Sequence, residues 1–399
     1  MLSDESSRAR ATAWIGKARE IGPVLARHAA AAELEGQLEE EAYEALREGG
    51  FLKLWRPASL GGAELTPTDH ALVAEEIACF DAAAAWVVMA ASNAAFDLRM
   101  ARDSFVTRIY GDDPHALVCT TFNKPLSATE TRGGYRVTGS VPFASGCRHA
   151  QWIGHLALVE HAGKPALGAS GKALLLLVYH PRERVQIVED WDTLGLRGTS
   201  SHTVRVEGLF VPEEHSVDLF SVRAASGHFS GALYRCPIAL LSSTVAAPAL
   251  GILRTSLNAL TELARTKLPF AADRPLQHRA LAQLHFARAL AGYRGARAYL
   301  HAELERAFHM ASEGTAFDLR DKAALILAAS HAAEASVQGI RDISSAAGTS
   351  AIYKHSPLER ATRDVETLRH HALIAEGRYA NVAQAEWDMD MDFPLLAMD

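Results

Sequence analysis

The chain has 399 residues, 49% of them apolar and 22% charged, with a formal net charge of −7. That is the balance of a globular chain long enough to bury a sizeable core, and its acidic excess weighs against nucleic acid or an anionic membrane as the main partner. No stretch approaches the roughly 18 uninterrupted apolar residues of a transmembrane span. The opening residues, Met1 to Arg8, lack the basic-then-apolar order of a signal peptide. Cys79, Cys119, Cys147 and Cys236 lie far apart with no C-x-x-C pair, and the histidines include no H-E-x-x-H or H-x-H. A reduced cytoplasmic protein without a metal site is the expectation.

From Arg8 to about Tyr110 the chain is rich in Ala and Glu and has helical periodicity. Leu38, Ala42, Ala45 and Leu46 share one helix face, which Gly49-Gly50 brings to an end. Phe51 to Pro57 reads as a short extended link, and Thr66-Pro67 as the start of another helix. Ala82 to Met100 is almost wholly apolar, which predicts a helix buried on most sides. Within it Asn93 needs a hydrogen-bond partner, most simply on a neighbouring helix.

From about His115 to Asp218 the pattern changes to period two. Strands are predicted at Ala116–Phe122, Gly134–Ser140, Gln151–Glu160, Ala173–Tyr179, Val185–Val188 and Thr203–Val211, enough for a small barrel or sandwich. Between the second and third of these, the turn Phe143-Ala-Ser-Gly146 sets small residues beside an aromatic ring. Such a turn lets backbone amides approach a flat ligand while a hydroxyl points at it. From about Tyr234 long helices return, at Ile238–Thr266, Leu276–Ala311, Thr315–Ala347 and Leu358–Trp387, the pattern of an antiparallel bundle. The expected fold is therefore α+β, with a helical domain at 1–115, a middle β domain at 116–222 and a four-helix bundle at 223–399. Neither G-x-G-x-x-G after a strand nor a P-loop is present, so the chain itself is not expected to bind NAD(P)H.

Several segments together resemble the acyl-CoA dehydrogenase superfamily. They are Cys119-Thr-Thr-Phe-Asn-Lys-Pro125, the Phe143–Gly146 turn, Trp191-Asp-Thr-Leu-Gly-Leu-Arg-Gly-Thr-Ser-Ser-His202, Leu209-Phe-Val-Pro-Glu-Glu214, and Gly348-Thr-Ser-Ala-Ile352 followed by Arg360-Ala-Thr-Arg-Asp364. The resemblance implies a flavin held between the β domain and the C-terminal bundle, in a homotetramer. It also implies one of two chemistries. A dehydrogenase of this family removes a proton α to a thioester with a carboxylate while flavin takes the hydride. After Arg363-Asp364, however, this chain has His370-His371, and Glu262 is the one carboxylate the dehydrogenase alternative keeps.

The histidines, with Phe143-Ala-Ser-Gly146, resemble the two-component flavin monooxygenases of the same fold, such as the oxygenase components of 4-hydroxyphenylacetate and phenolic-steroid hydroxylases and dibenzothiophene monooxygenase. That likeness implies reduced FAD or FMN delivered by a separate NAD(P)H:flavin reductase. It implies reaction with O2 through a C4a-hydroperoxyflavin, and oxygenation of a small aromatic or heteroaromatic substrate at carbon, sulfur or nitrogen. On it, His371 is the residue facing the flavin, with His370 its rival, and Ser145 hydrogen-bonds the peroxide or the substrate. On the last predicted helix, His371 shares a stripe with Arg360, Asp364 and Thr367. Phe143 and Ala144 are expected against the isoalloxazine, with turn amides at its polar edge. Asn123 and Trp191 are further ring contacts, Thr199 and Ser200 meet the ribityl chain or phosphate, and Arg265 reaches a neighbouring subunit's flavin phosphate. Trp86, Asn93 and Phe96 are expected to line an apolar substrate cavity.

Overall fold

The computed structural model describes residues 2–220 and 227–393, so the domain boundary expected at 222/223 lies outside the described residues. The first helices are α1 (Leu2–Glu35), α2 (Glu40–Glu48), α3 (Pro67–Ala78), α4 (Ala82–Asp97) and α5 (Asp103–Asp112). Helix α2 stops where Gly50 takes a left-handed φ of 82°, and α3 starts with the Thr66 side chain accepting the Asp69 amide and Pro67 in the first turn. The Phe51–Lys53 segment is a 3-10 turn, not the extended link the sequence suggested. Phe51, Leu52, Leu54 and Trp55 are all buried, and a turn brings such consecutive apolar side chains into one core where a strand would send alternate ones outward. In α4 every residue except Asn93 is buried.

The β region has eight strands: β1 (Val118–Thr131), β2 (Gly134–Val141), β3 (Trp152–His161), β4 (Lys164–Pro165), β5 (Leu175–Pro181), β6 (Gln186–Val188), β7 (Thr203–Pro212) and β8 (Ser216–Asp218). They pair in the order β6-β7-β2-β1-β3-β5-β8, with β4 on β3. β1 and β3 are parallel and the other pairs antiparallel. The hydrogen-bonded path has two ends, so the sheet is open rather than a closed barrel. β1 also runs past the predicted end at Phe122, because pairing resumes at Leu126 after a register shift that accommodates Pro125.

The last helices are α6 (Leu241–Thr266), α7 (Ala280–Glu313), α8 (Leu319–Ala347), α9 (Pro357–Leu368) and α10 (Gly377–Glu386). The predicted continuous helix over Leu358–Trp387 is broken between α9 and α10. There the His371 ring nitrogen Nδ1 accepts the Leu373 amide at 3.3 Å, a local side-chain bond that competes with the helical ladder. Helix α6 lies so close to α3 that a Cβ on Gly251 would stand 2.3 Å from the Glu75 carbonyl oxygen. An ionic network seals that contact: Arg254 bonds Glu76 at 2.8 Å, while Tyr293 and Arg297 of α7 donate to Glu75 at 2.6 and 2.8 Å. Among the described residues only Ile238–Thr266 is long and apolar enough to cross a membrane, and 89% of its most apolar window is buried inside the fold, as in a core helix.

Candidate active site

Three segments converge at the edge of the β-sheet. The first is the β2–β3 turn. Phe143 adopts a φ of 65°, rare for an aromatic residue, and the Ser145 amide bonds back to the Phe143 carbonyl at 3.0 Å. The second is the stretch Trp191–His202, in which Leu196 and Ser200 also have left-handed φ. It is tied to the turn by Ala144 N–H to the His202 carbonyl (3.1 Å) and Gly146 N–H to the Thr199 carbonyl (2.8 Å). Helix α4 is the third. Its Trp86 Nε1 donates to the Ser145 hydroxyl at 3.0 Å.

Behind Ser145 the hydroxyls continue inward. Ser145 Oγ lies 2.8 Å from Ser201 Oγ, which lies 2.7 Å from Thr199 Oγ1, and Thr199 donates to the Leu196 carbonyl at 2.8 Å. That carbonyl also receives Trp191 Nε1 at 3.0 Å. On its other side the Leu196 peptide is held by Asp364 of α9, whose carboxylate accepts the Leu196 amide at 2.7 Å. Gly195 allows the approach, since a Cβ there would stand 2.3 Å from the Arg363 carbonyl group. Arg363 adds a bond to the Leu194 carbonyl at 3.0 Å and ion pairs with Glu359 and Glu33, stapling the stretch to α9 and α1.

The break after α9 brings His371 to the same place. Its ring meets Trp86 edge-to-face, with centroids 5.6 Å apart. Burial lowers its pKa to about 4, so the imidazole is neutral at physiological pH. Because Nδ1 accepts the Leu373 amide, the ring proton resides on Nε2, which is left as a donor. Burial raises the Asp364 carboxyl to about 7, against the lowering influence of the Leu196 amide and Arg360.

The sequence-predicted residues divide into three groups. Trp86, Ser145, Trp191 and His371 are brought together, and Phe143, 54% exposed, stands edge-to-face to Trp191 at 6.0 Å. A second group is present but buried beneath the surface. Ala144, Thr199 and Ser200 are fully buried, so Ala144 supports the turn from below, and the Thr199 and Ser200 hydroxyls bond within the protein instead of meeting a ribityl chain or phosphate. The amides of Ala144, Ser145 and Gly146 are likewise engaged within the protein rather than free for a ligand edge. His371 belongs to the turn after α9 and not to a helical stripe with Asp364.

The third group lies elsewhere. Phe96 is fully buried against Trp55 and the Arg99 guanidinium. Asn93 is half-buried and accepts the Thr244 hydroxyl of α6 at 2.8 Å, the helix-to-helix bond its position called for. Asn123 is exposed and bonds the next backbone amide. Arg265 is exposed and paired with Glu262 at 2.8 Å. Glu262 itself is 72% exposed, which does not suit a base working in a dry site. Ser201, His202 and Asp364 were not singled out as site residues from sequence. The polar run Thr199-Ser-Ser-His202 between glycine-flanked turns was the available signal, because polar residues buried in a loop must bond one another.

An isoalloxazine is a flat heteroaromatic system with a polar edge. An exposed Phe143 beside Trp191, with the Ser145 hydroxyl and the neutral His371, is a set of aromatic surface and hydrogen-bonding groups that fits such a ring.

Comparison with known proteins agrees with this fit. A family model described as "Acyl-CoA dehydrogenase, N-terminal domain" matches residues 17–101, and "Acyl-CoA dehydrogenase, C-terminal domain" matches 243–376. The chain is 26% identical over 345 residues to indole-3-acetate monooxygenase of Pseudomonas putida, covering 86% of each chain. It is 27% identical to the flavin-dependent monooxygenase oxygenase subunit HsaA of Mycobacterium tuberculosis, covering 88% of this chain and 89% of the relative. In fold it is similar to XiaF from Streptomyces sp., solved in complex with FADH2 and glycerol, with a TM-score of 0.90, 21% identity and coverage of 99% of this chain and 100% of that one. The two family models together match more than half of the chain, and this protein belongs to the acyl-CoA dehydrogenase superfamily.

Proposed function

We propose that the chain is the oxygenase component of a two-component flavin-dependent monooxygenase. It takes reduced FAD or FMN from a separate NAD(P)H:flavin reductase and oxygenates a small aromatic or heteroaromatic substrate. The observation that carries this reading is the meeting of a neutral histidine and a serine hydroxyl at Trp86, with no carboxylate among them, while Glu262 is exposed and ion-paired. The names of the relatives, indole-3-acetate monooxygenase and a flavin-dependent oxygenase subunit, support it. A homotetramer in the cytoplasm is part of the same proposal.

When bound, the reduced flavin activates O2, so that one oxygen atom enters the substrate and the other leaves as water. The chain's own groups hold protons and exclude solvent. His371 keeps its proton on Nε2, where it serves as a neutral donor without adding charge to the site. The Ser145 hydroxyl is held by Trp86 Nε1. Phe143, Trp191 and Trp86 supply aromatic walls that keep water from the reacting atoms.

Anaerobic stopped-flow tests the proposal: protein is mixed with reduced FMN or FAD, then with oxygen, and absorbance is followed. A long-lived near-ultraviolet species before oxidised flavin appears is expected. Immediate oxidised flavin with stoichiometric hydrogen peroxide, together with oxidation of an acyl-CoA without a reductase, would overturn it in favour of a dehydrogenase.

A further inference from the structure

Two orders of the three hydroxyls behind Trp86 bond both hydroxyl–hydroxyl contacts and leave no buried proton unpaired. Trp86 Nε1 is always a donor, so Ser145 Oγ always accepts one bond on that side. In one order the protons run inward, from Ser145 to Ser201, from Ser201 to Thr199 and from Thr199 to the Leu196 carbonyl. Ser145 then has no proton to offer the cleft and presents a lone pair. In the other order Thr199 donates to Ser201 and Ser201 to Ser145, and the Ser145 O–H is released outward. The Leu196 carbonyl does not object to the reversal, because it keeps the Trp191 Nε1 bond in both. Ser201 and Thr199 are buried, whereas Ser145 is only half-buried.

We infer that Thr199 and Ser201 are positioning residues that let Ser145 present either a donor or an acceptor to the cleft, matching the oxidised and the reduced form of a bound flavin. An oxidised flavin offers a ring-nitrogen acceptor where the reduced form offers an N–H donor, so the first selects the outward order and the second the inward one. This rests on the flavin reading above. The inward order has one more bond within the protein than the outward order. At the usual net value of about 1 kcal/mol per bond, it is favoured about fivefold in the free protein. An acceptor ligand therefore binds about sixfold more weakly than it would to a chain fixed in the outward order.

Thr199→Val removes the inward terminus at nearly constant volume. Ser201 then satisfies its buried proton only by donating to Ser145, which fixes the outward order. The test is the ratio of Kd for oxidised to Kd for reduced FMN, measured on the full chain by anaerobic tryptophan-fluorescence titration. The ratio is expected to fall about fivefold or more in Thr199→Val. Ser201→Ala, which removes the inward acceptor altogether, and Ser145→Ala, which removes the hydroxyl whose order is biased, are both expected to move it in the same direction. A mere packing defect weakens both forms together and leaves the ratio alone, so an unchanged ratio in both Thr199→Val and Ser201→Ala overturns the inference while leaving the flavin reading intact. Failure of the wild-type chain to bind either form overturns both.

Discussion

Asp364 gives the sharpest test of how the site is held. Its carboxyl is buried and raised from 3.8 to about 7, mainly by burial, while it accepts the Leu196 amide at 2.7 Å. An acid whose folded pKa is raised binds more protons folded than unfolded. Its contribution to stability is therefore complete below pH 4 and is lost as pH rises from about 4 to about 7. The full loss is roughly three units, or about 4 kcal/mol, of which about 3 kcal/mol falls between pH 5 and 8. Asp364→Asn keeps an acceptor for Leu196 and cannot ionise. The wild type should thus lose about 3 kcal/mol relative to Asp364→Asn between pH 5 and pH 8. Urea denaturation of both proteins at the two pH values, at fixed ionic strength, measures the difference and cancels the titration of every other group. Parallel pH dependence of the two proteins would refute the reasoning, since it would mean that Asp364 stays ionised inside the fold.

His371→Ala is expected to keep the fold and reduced-flavin binding while product per flavin oxidised drops at least about tenfold, with hydrogen peroxide making up the balance, as read by product and peroxide assays together. Because burial lowers His371 from 6.5 to about 4, its own contribution to stability is present above pH 6.5 and is lost as pH falls towards 4. Comparison of the wild type with His371→Ala by urea denaturation at pH 5 and 7 checks that sign. Gly195→Ala should cost about 1–3 kcal/mol, because its Cβ would overlap the Arg363 carbonyl group and push the Trp191–His202 stretch off α9. Thermal unfolding and Trp191 fluorescence report the two effects. Glu262→Gln should leave oxygenation within about twofold of wild type, since its exposed partner Arg265 contributes little through a surface pair. A turnover assay showing a loss of a hundredfold or more would restore the carboxylate-base reading.

Much of the architecture was legible because it rests on local pattern. The apolar run of α4, the switch to period two near His115 and the return of long helices near Tyr234 each follow from which residues can share a buried face. The failures occur where a side chain overrides that pattern. Helical periodicity carries on through Arg369 to Ala372, yet the bond from Leu373 N–H to the His371 ring ends the helix, and no count of apolar spacing contains that bond. The strand expected to end at Phe122 instead carries on through a register shift that takes in Pro125 inside β1.

At the site, the residue types were readable and their exposure was not. Ser145, Trp191 and His371 announced themselves by chemistry and by family resemblance. That Thr199 and Ser200 would point inward, and Phe96 into the core, depends on left-handed backbone at Leu196 and Ser200 and on packing from a distant helix. The consequence is functional. The strained stretch turns the Thr199, Ser200 and Ser201 hydroxyls inward to bond within the protein, so that Ser145, only half-buried, is the hydroxyl of the chain left nearest solvent. A site built this way should be more sensitive to the isosteric loss of a buried hydroxyl than to the loss of an exposed charge such as Glu262.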